Sequence, residues 1–144
     1  MCSDRVLDGA TVSTLVCGYI AVIQIAGVLT PASFGAIKAA VLLDLAEAGP
    51  VAGFLVHYER ADVRCTAADL NALFDDEAAQ SQATMPAAMV VRSDQLALFQ
   101  EHSWMIAWRG IVRQSFTDAA TARDWLRARA ETAAQCRTSP SLAI

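Results

Sequence analysis

One local arrangement recurs along the chain and limits what it can fold into. An apolar, β-branched run ends at a Thr or Ser, and an alanine-rich helical pattern starts at once. Residues 19–28 lead to Thr30 and Pro31, a capping hydroxyl followed by the residue best suited to the first helical position. The helix that follows places Phe34, Ile37, Val41 and Leu45 on one stripe and is expected to stop at Gly49 and Pro50. Lys38 lies almost on that stripe and Leu43 off it, so the helix is not cleanly amphipathic. Residues 51–58 form the second run. A polar stretch, 59–64, reads as a loop, and Thr66 with Asp69 has the pattern of a capping box. Leu70, Leu73 and Phe74 are the expected buried face of the next helix, and Asp75, Asp76 and Glu77 its solvated end. The third run, 87–92, is expected to be capped by Ser93, with a helix that buries Leu96, Phe99 and Ile106 and closes at Gly110. The fourth, 111–116, is expected to be capped by Thr117, with a helix carrying Ala122, Trp125 and Leu126.

Ahead of these units, residues 11–17 alternate Val12, Thr14 and Val16 with other residues and reach a turn at Gly18, the pattern of a hairpin strand. Strands that alternate with helices imply a parallel sheet, because a crossover helix must return the chain between parallel neighbours. The fold class is therefore α/β: a mainly parallel β-sheet with one leading antiparallel strand, covered by about four helices. The last strand, with Arg113, Gln114 and Ser115, is polar enough to belong at an edge. A single domain is expected over residues 10–133, with flexible ends at 1–9 and 137–144.

Composition narrows the function. Hydrophobic residues make up 55% of the 144 and charged ones 18%, which excludes a disordered chain. Eleven basic against 15 acidic residues leave a net charge of −4, the wrong sign for a protein that grips nucleic-acid backbone. Cys2, Cys17, Cys65 and Cys136 are widely spaced and never in a C-x-x-C pair, so reduced thiols in a cytoplasmic protein are expected. No basic leader opens the sequence, and the longest apolar run, 15–29, is too short for a comfortable membrane span. Arginine and alanine are abundant and lysine nearly absent, the mark of coding bias in a GC-rich genome.

No motif of catalysis stands in the sequence: no G-x-S-x-G, no G-x-G-x-x-G after a strand, no P-loop, no H-E-x-x-H. His57, Cys65 and His102 have no metal-ligand spacing, and a Cys65–His57 pair lacks a visible orienting group. Neither a catalytic set, a metal nor a cofactor is implied. Location is more informative. Ligands of open parallel sheets gather outside the carboxyl ends of the strands, where the 59–64 stretch is the longest and most charged connection. Glu59, Arg60, Asp62, Arg64 and Thr66 are the candidate interaction residues there. A second candidate is Trp104, Met105 and Trp108, on a helix apolar on more than one side. Burial in the core is the first expectation for that stretch, with a dimer surface or an apolar pocket as alternatives.

The order of elements is similar to the STAS domain, the fold of anti-sigma-factor antagonists. Gly27-Val28-Leu29-Thr30 resembles the G-x-L-D/T turn that enters that family's first helix. Gly110-Ile111-Val112-Arg113, Phe116-Thr117-Asp118, Ala122 and Trp125-Leu126 resemble the closing string of its SpoIIAA-like branch. Where antagonists carry D-S-S-G-L with a phosphorylated serine, this chain reads Arg64-Cys65-Thr66-Ala67-Ala68-Asp69-Leu70, and Thr66 stands where the phosphoacceptor would be. The resemblance implies a non-enzymatic regulatory or protein-interaction module acting through a protein partner or self-association as a homodimer. The alternative is a binding protein for a small apolar ligand or lipid, motivated by a mean hydropathy of +0.36 and the Trp104–Trp108 stretch.

Overall fold

The computed structural model describes residues 2–7, 9–73 and 85–138, without the side chains of Cys2 and of 132–138. Among the described residues, six strands and four helices follow one another as β1 (Cys2–Leu7), β2 (Ala10–Cys17), β3 (Ile20–Leu29), α1 (Pro31–Ala48), β4 (Gly53–Val63), α2 (Ala67–Ala72), β5 (Ala87–Val90), α3 (Leu96–Ala107), β6 (Arg113–Phe116) and α4 (Ala119–Thr138). Phe74, Asp75, Asp76 and Glu77 lie outside the described residues, as do Met1 and 139–144.

The six strands form one sheet in chain order, β1 to β6. Only β2 runs against the others, pairing antiparallel with β1 and β3, while β3 to β6 are parallel. The mainly parallel sheet with one antiparallel strand near its start is therefore as the sequence implied, and β6 is an edge strand. β1 itself is an addition. Residues 2–7 were expected to lie outside the domain, but they pair along β2 from Cys2 opposite Leu15 to Leu7 opposite Ala10. Alternation explains this: Leu7 packs on the core, and Arg5 Nη2 donates to Asp44 Oδ1 of α1 at 2.7 Å.

Successive right-handed crossovers in one direction put α1, α2 and α3 on the same face of the sheet. Ile37, Val41 and Leu45 of α1, Leu70 of α2 and Phe99 of α3 pack there against Ile23, Ile25, Phe54, Val56, Tyr58 and Met89. The other face carries Leu55, Ala88 and Val90, covered by Ala122 and Leu126 of α4. α4 lies so close that a methyl at Gly53 would stand 2.8 Å from Leu126 Cδ1. Over β1 and β2 this second face is open, and Val6 and Leu15 are exposed.

Local chemistry set the helix starts as expected in two of the four described helices. Thr30 and Thr66 cap α1 and α2 with their hydroxyls, reciprocated by Ser33 and Asp69. Ser93 does not cap α3; it lies in a turn, and Gln95 precedes the helix. Asp118 replaces Thr117 at the start of α4, its carboxylate accepting from Thr121 N at 2.9 Å. A carboxylate at a helix start is favoured by the exposed N–H groups and the helix dipole together.

Candidate interaction site at the carboxyl edge

The 59–64 stretch is not a loop. β4 continues to Val63 because a β-bulge at Tyr58 and Glu59 inserts one extra residue opposite Ile25: Gln24 pairs with His57, but Ala26 pairs with Arg60. The insertion changes the phase of alternation. Tyr58 and Ala61, three apart, both face the helices, and Arg60 and Asp62 turn to solvent. A period broken in this way reads as polar loop in the sequence.

β5 pairs with β4 only as far as His57, so on that side β4 runs on without a neighbouring strand while β3 still flanks it on the other. Two side chains from the turn after β5 take up the exposed carbonyls. Gln95 Nε2 donates to Tyr58 O at 3.1 Å and Ala61 O at 2.9 Å. Arg92 Nη1 donates to Glu59 O at 2.6 Å and Ala61 O at 3.2 Å. Buried carbonyls need such partners, and here side chains stand in for a missing strand. Neither residue was singled out in the sequence, where Arg-Ser-Asp-Gln is an ordinary polar turn.

On this frame the candidate residues fall into one exposed strip. Glu59 Oε1 lies 3.0 Å from His57 Nδ1. Arg60 borders two shallow depressions on the open sheet face, both shared with Gln24. Arg64 Nε meets Asp62 Oδ2 at 2.9 Å, both well exposed. Thr66 follows, its hydroxyl accepting from Asp69 N and its own N–H donating to Asp69 Oδ2 at 2.9 Å. Cys65 turns inward instead, 3.5 Å from Leu29 O, and burial, with the charge of Asp69 adding, pushes its thiol up from the ordinary value. It is not brought to His57, so the two form no nucleophile–base pair.

Trp104 and Trp108 overturn the expectation of burial: they are 79% and 78% exposed. Phe99, His102 and Ile106 form the buried face of α3, and the tryptophans stand on the other side, with Met105 at the margin. The guanidinium of Arg109 lies over the Trp108 ring, 5.3 Å from its centre.

Beneath α1, α2 and α3 the sheet leaves a cavity of about 100 Å³. Its walls include Ile37, Val41, Leu70 and Phe99, and Tyr58, His102 and Arg113 also line it. Burial pushes the Tyr58 phenol up to about 12 against the opposing pull of Arg113. His102 is held down to about 3 by burial, with the Arg113 charge adding, and so is neutral; its Nδ1–H donates to Asn71 Oδ1 at 2.5 Å. The polarity of Arg113 marked β6 as an edge strand, but gave no sign that its side chain reaches this chamber.

Two solved structures share this architecture. One is an anti-sigma factor antagonist from Mycobacterium paratuberculosis: TM-score 0.57, 10% identity, 82% of this chain and 94% of that one covered. The other is an uncharacterized protein of the DUF3478 family, with a SpoIIAA-like fold, from Shewanella loihica PV-4: TM-score 0.52, 18% identity, 86% and 98% covered. The chain has a SpoIIAA-like fold. At these identities the likeness shows architecture alone. No protein-family model and no curated relative matches the sequence. Within the SpoIIAA-like frame, the strip from Glu59 to Thr66 occupies the carboxyl edge where α2 begins, and among the described residues no helix is long and apolar enough to cross a membrane.

Proposed function

We propose that this SpoIIAA-like chain is a non-enzymatic regulatory module that recognises a protein partner through the carboxyl edge of its sheet. One observation carries the reading. The strip of Glu59, Arg60, Asp62, Arg64 and Thr66 is exposed, yet its backbone is held by Arg92 and Gln95, so charged groups are presented on a rigid support. Likeness to an anti-sigma factor antagonist supports the class of function. Thr66 serves as a cap in this reading, and the neighbouring Asp69 carboxylate would repel a phosphate placed on it. Thiols at Cys17 and Cys65 fit a reducing, cytoplasmic setting.

The test is capture from the native host with tagged protein, followed by identification of the bound polypeptide. The double variant Asp62→Lys/Arg64→Glu should lose that polypeptide while keeping the parent's circular dichroism and unfolding midpoint. Equal recovery by parent and variant would overturn the reading.

A further inference from the structure

β1 is fastened to the fold at few points. It pairs with β2 alone, and its alternation sends Ser3, Arg5 and Leu7 toward α1 and Asp4 and Val6 to the open face. Val6 is 79% exposed, so among the described side chains of the strand Leu7 is the one apolar group packed on the core. β4 and β5, by contrast, are packed on both faces. The seam beneath β1 and α1 is polar as well. Thr14 stands opposite Ser3 in the ladder, on the face under α1, and Arg5 meets Asp44 of that helix. Thr14 Oγ1 and Asp44 Oδ2 are both buried, and among the described residues neither has a hydrogen-bond partner. The Ser3 hydroxyl helps to hold the Asp44 carboxyl down but closes no bond to Oδ2. A buried polar atom left unpaired is costly, and water reaching it removes that cost.

We infer that β1 is a displaceable strap, which lifts from β2 and α1 as one unit while the rest of the sheet and its helices stay folded. Opening gives up the ladder with β2, the Arg5–Asp44 pair and the contact of Leu7. It leaves the core of Ile23, Phe54, Val56 and Met89 in place and brings water to Thr14 and Asp44. It also bares the edge of β2, a row of backbone groups to which another extended segment can add. The strap therefore controls access to a second interaction surface. That surface is independent of the protein-partner reading, since none of these residues belongs to the 59–66 strip.

Native-state hydrogen exchange of the full-length protein, followed amide by amide at rising urea below the unfolding transition, is the test. The amides that join β1 to β2 should exchange together and with little dependence on urea, because little surface is exposed. Corrected for intrinsic rates, they should exchange at least about a hundredfold faster than those of Ala88, Met89 and Val90. Leu126→Ala weakens the packing on the second face, so it should accelerate β5 and leave β1 as in the parent. Thr14→Val keeps the shape and removes the orphan hydroxyl, and should slow β1 about threefold. The inference fails if β1 and β5 share one rate and one urea dependence, or if Leu126→Ala accelerates both alike. β1 would then open only with the whole fold. Unchanged or faster exchange of β1 in Thr14→Val would overturn the role given to the seam. The parent's urea series decides the main point even where Leu126→Ala does not fold.

Discussion

Arg5 Nη2 and Asp44 Oδ1 stand 2.7 Å apart across 39 residues of sequence, fastening the outermost strand β1 to helix α1. The Asp44 side chain is 4% exposed against 42% for Arg5, so the pair is a buried anion held by a cation that reaches in from solvent. The Arg5 hydrogen bond holds the Asp44 carboxyl below its ordinary value, against the opposing effect of burial. Its depressed folded pKa means that the stabilisation is complete above the unfolded value near 3.8 and is lost as pH falls below it. Arg5→Gln should therefore lower the urea midpoint at pH 7, with the gap from the parent narrowing below pH 3.8. A gap of constant size through that range would show that the pair does not act through charge.

Gln95 holds the far end of β4 in the same sense that Arg5 holds β1. Both of its amide hydrogens end on carbonyls at the bulge, and the residue is 5% exposed. Gln95→Leu keeps the volume and removes the donors, taking the amide bond from Tyr58 O and leaving Ala61 O with Arg92 Nη1. The expected cost is about 1–3 kcal/mol in global stability. Amide exchange over residues 59–63 should accelerate more than that over residues 53–57. Uniform acceleration along β4 would mean that the side chain only fills space.

What could be read from the sequence was local. The cap at Thr30, with Pro31 next and Gly49 at the far end, is written within one helix, and the same holds for Thr66 with Asp69. The strand–helix alternation gave the parallel sheet, and the polarity of Arg113 to Ser115 gave its edge. The bulge could not be read, because what stabilises it comes from Arg92 and Gln95, over thirty residues downstream. The chamber could not be read either, since Tyr58, His102 and Arg113 reach it from three different elements. For α3 the sign was present and outweighed. His102 shares an arc with Phe99 and Ile106, and a buried histidine on that arc leaves Trp104 and Trp108 to solvent.

The exposure of those tryptophans has a direct consequence. Trp104→Ser and Trp108→Ser should each change unfolding free energy by no more than about 0.5 kcal/mol, as surface substitutions do. Leu126→Ala, on the fully buried side of α4 against Leu55 and Val90, should cost about 2–5 kcal/mol. Urea titrations of the three variants decide it. A large loss from either tryptophan substitution would place α3 the other way round.

His102 should make the protein acid-sensitive well above the carboxylate range. It is 2% exposed, hydrogen-bonded to Asn71, and held down to about 3 by burial and the charge of Arg113, against 6.5 in the unfolded chain. A depressed folded value means that the unfolded chain takes up the proton first. The contribution is full above pH 6.5 and declines as pH falls toward 3, by up to about 1.4 kcal/mol per pH unit. Denaturant titrations between pH 7.5 and 4.5 should show stability falling most steeply below pH 6, still above the window in which Asp44 protonates. His102→Gln has no proton to gain, and its curve should be flatter across that range even though its stability at pH 7.5 is lower. Were the variant to lose stability with pH as the parent does, the slope would belong to another group and His102 would have to be protonated within the fold.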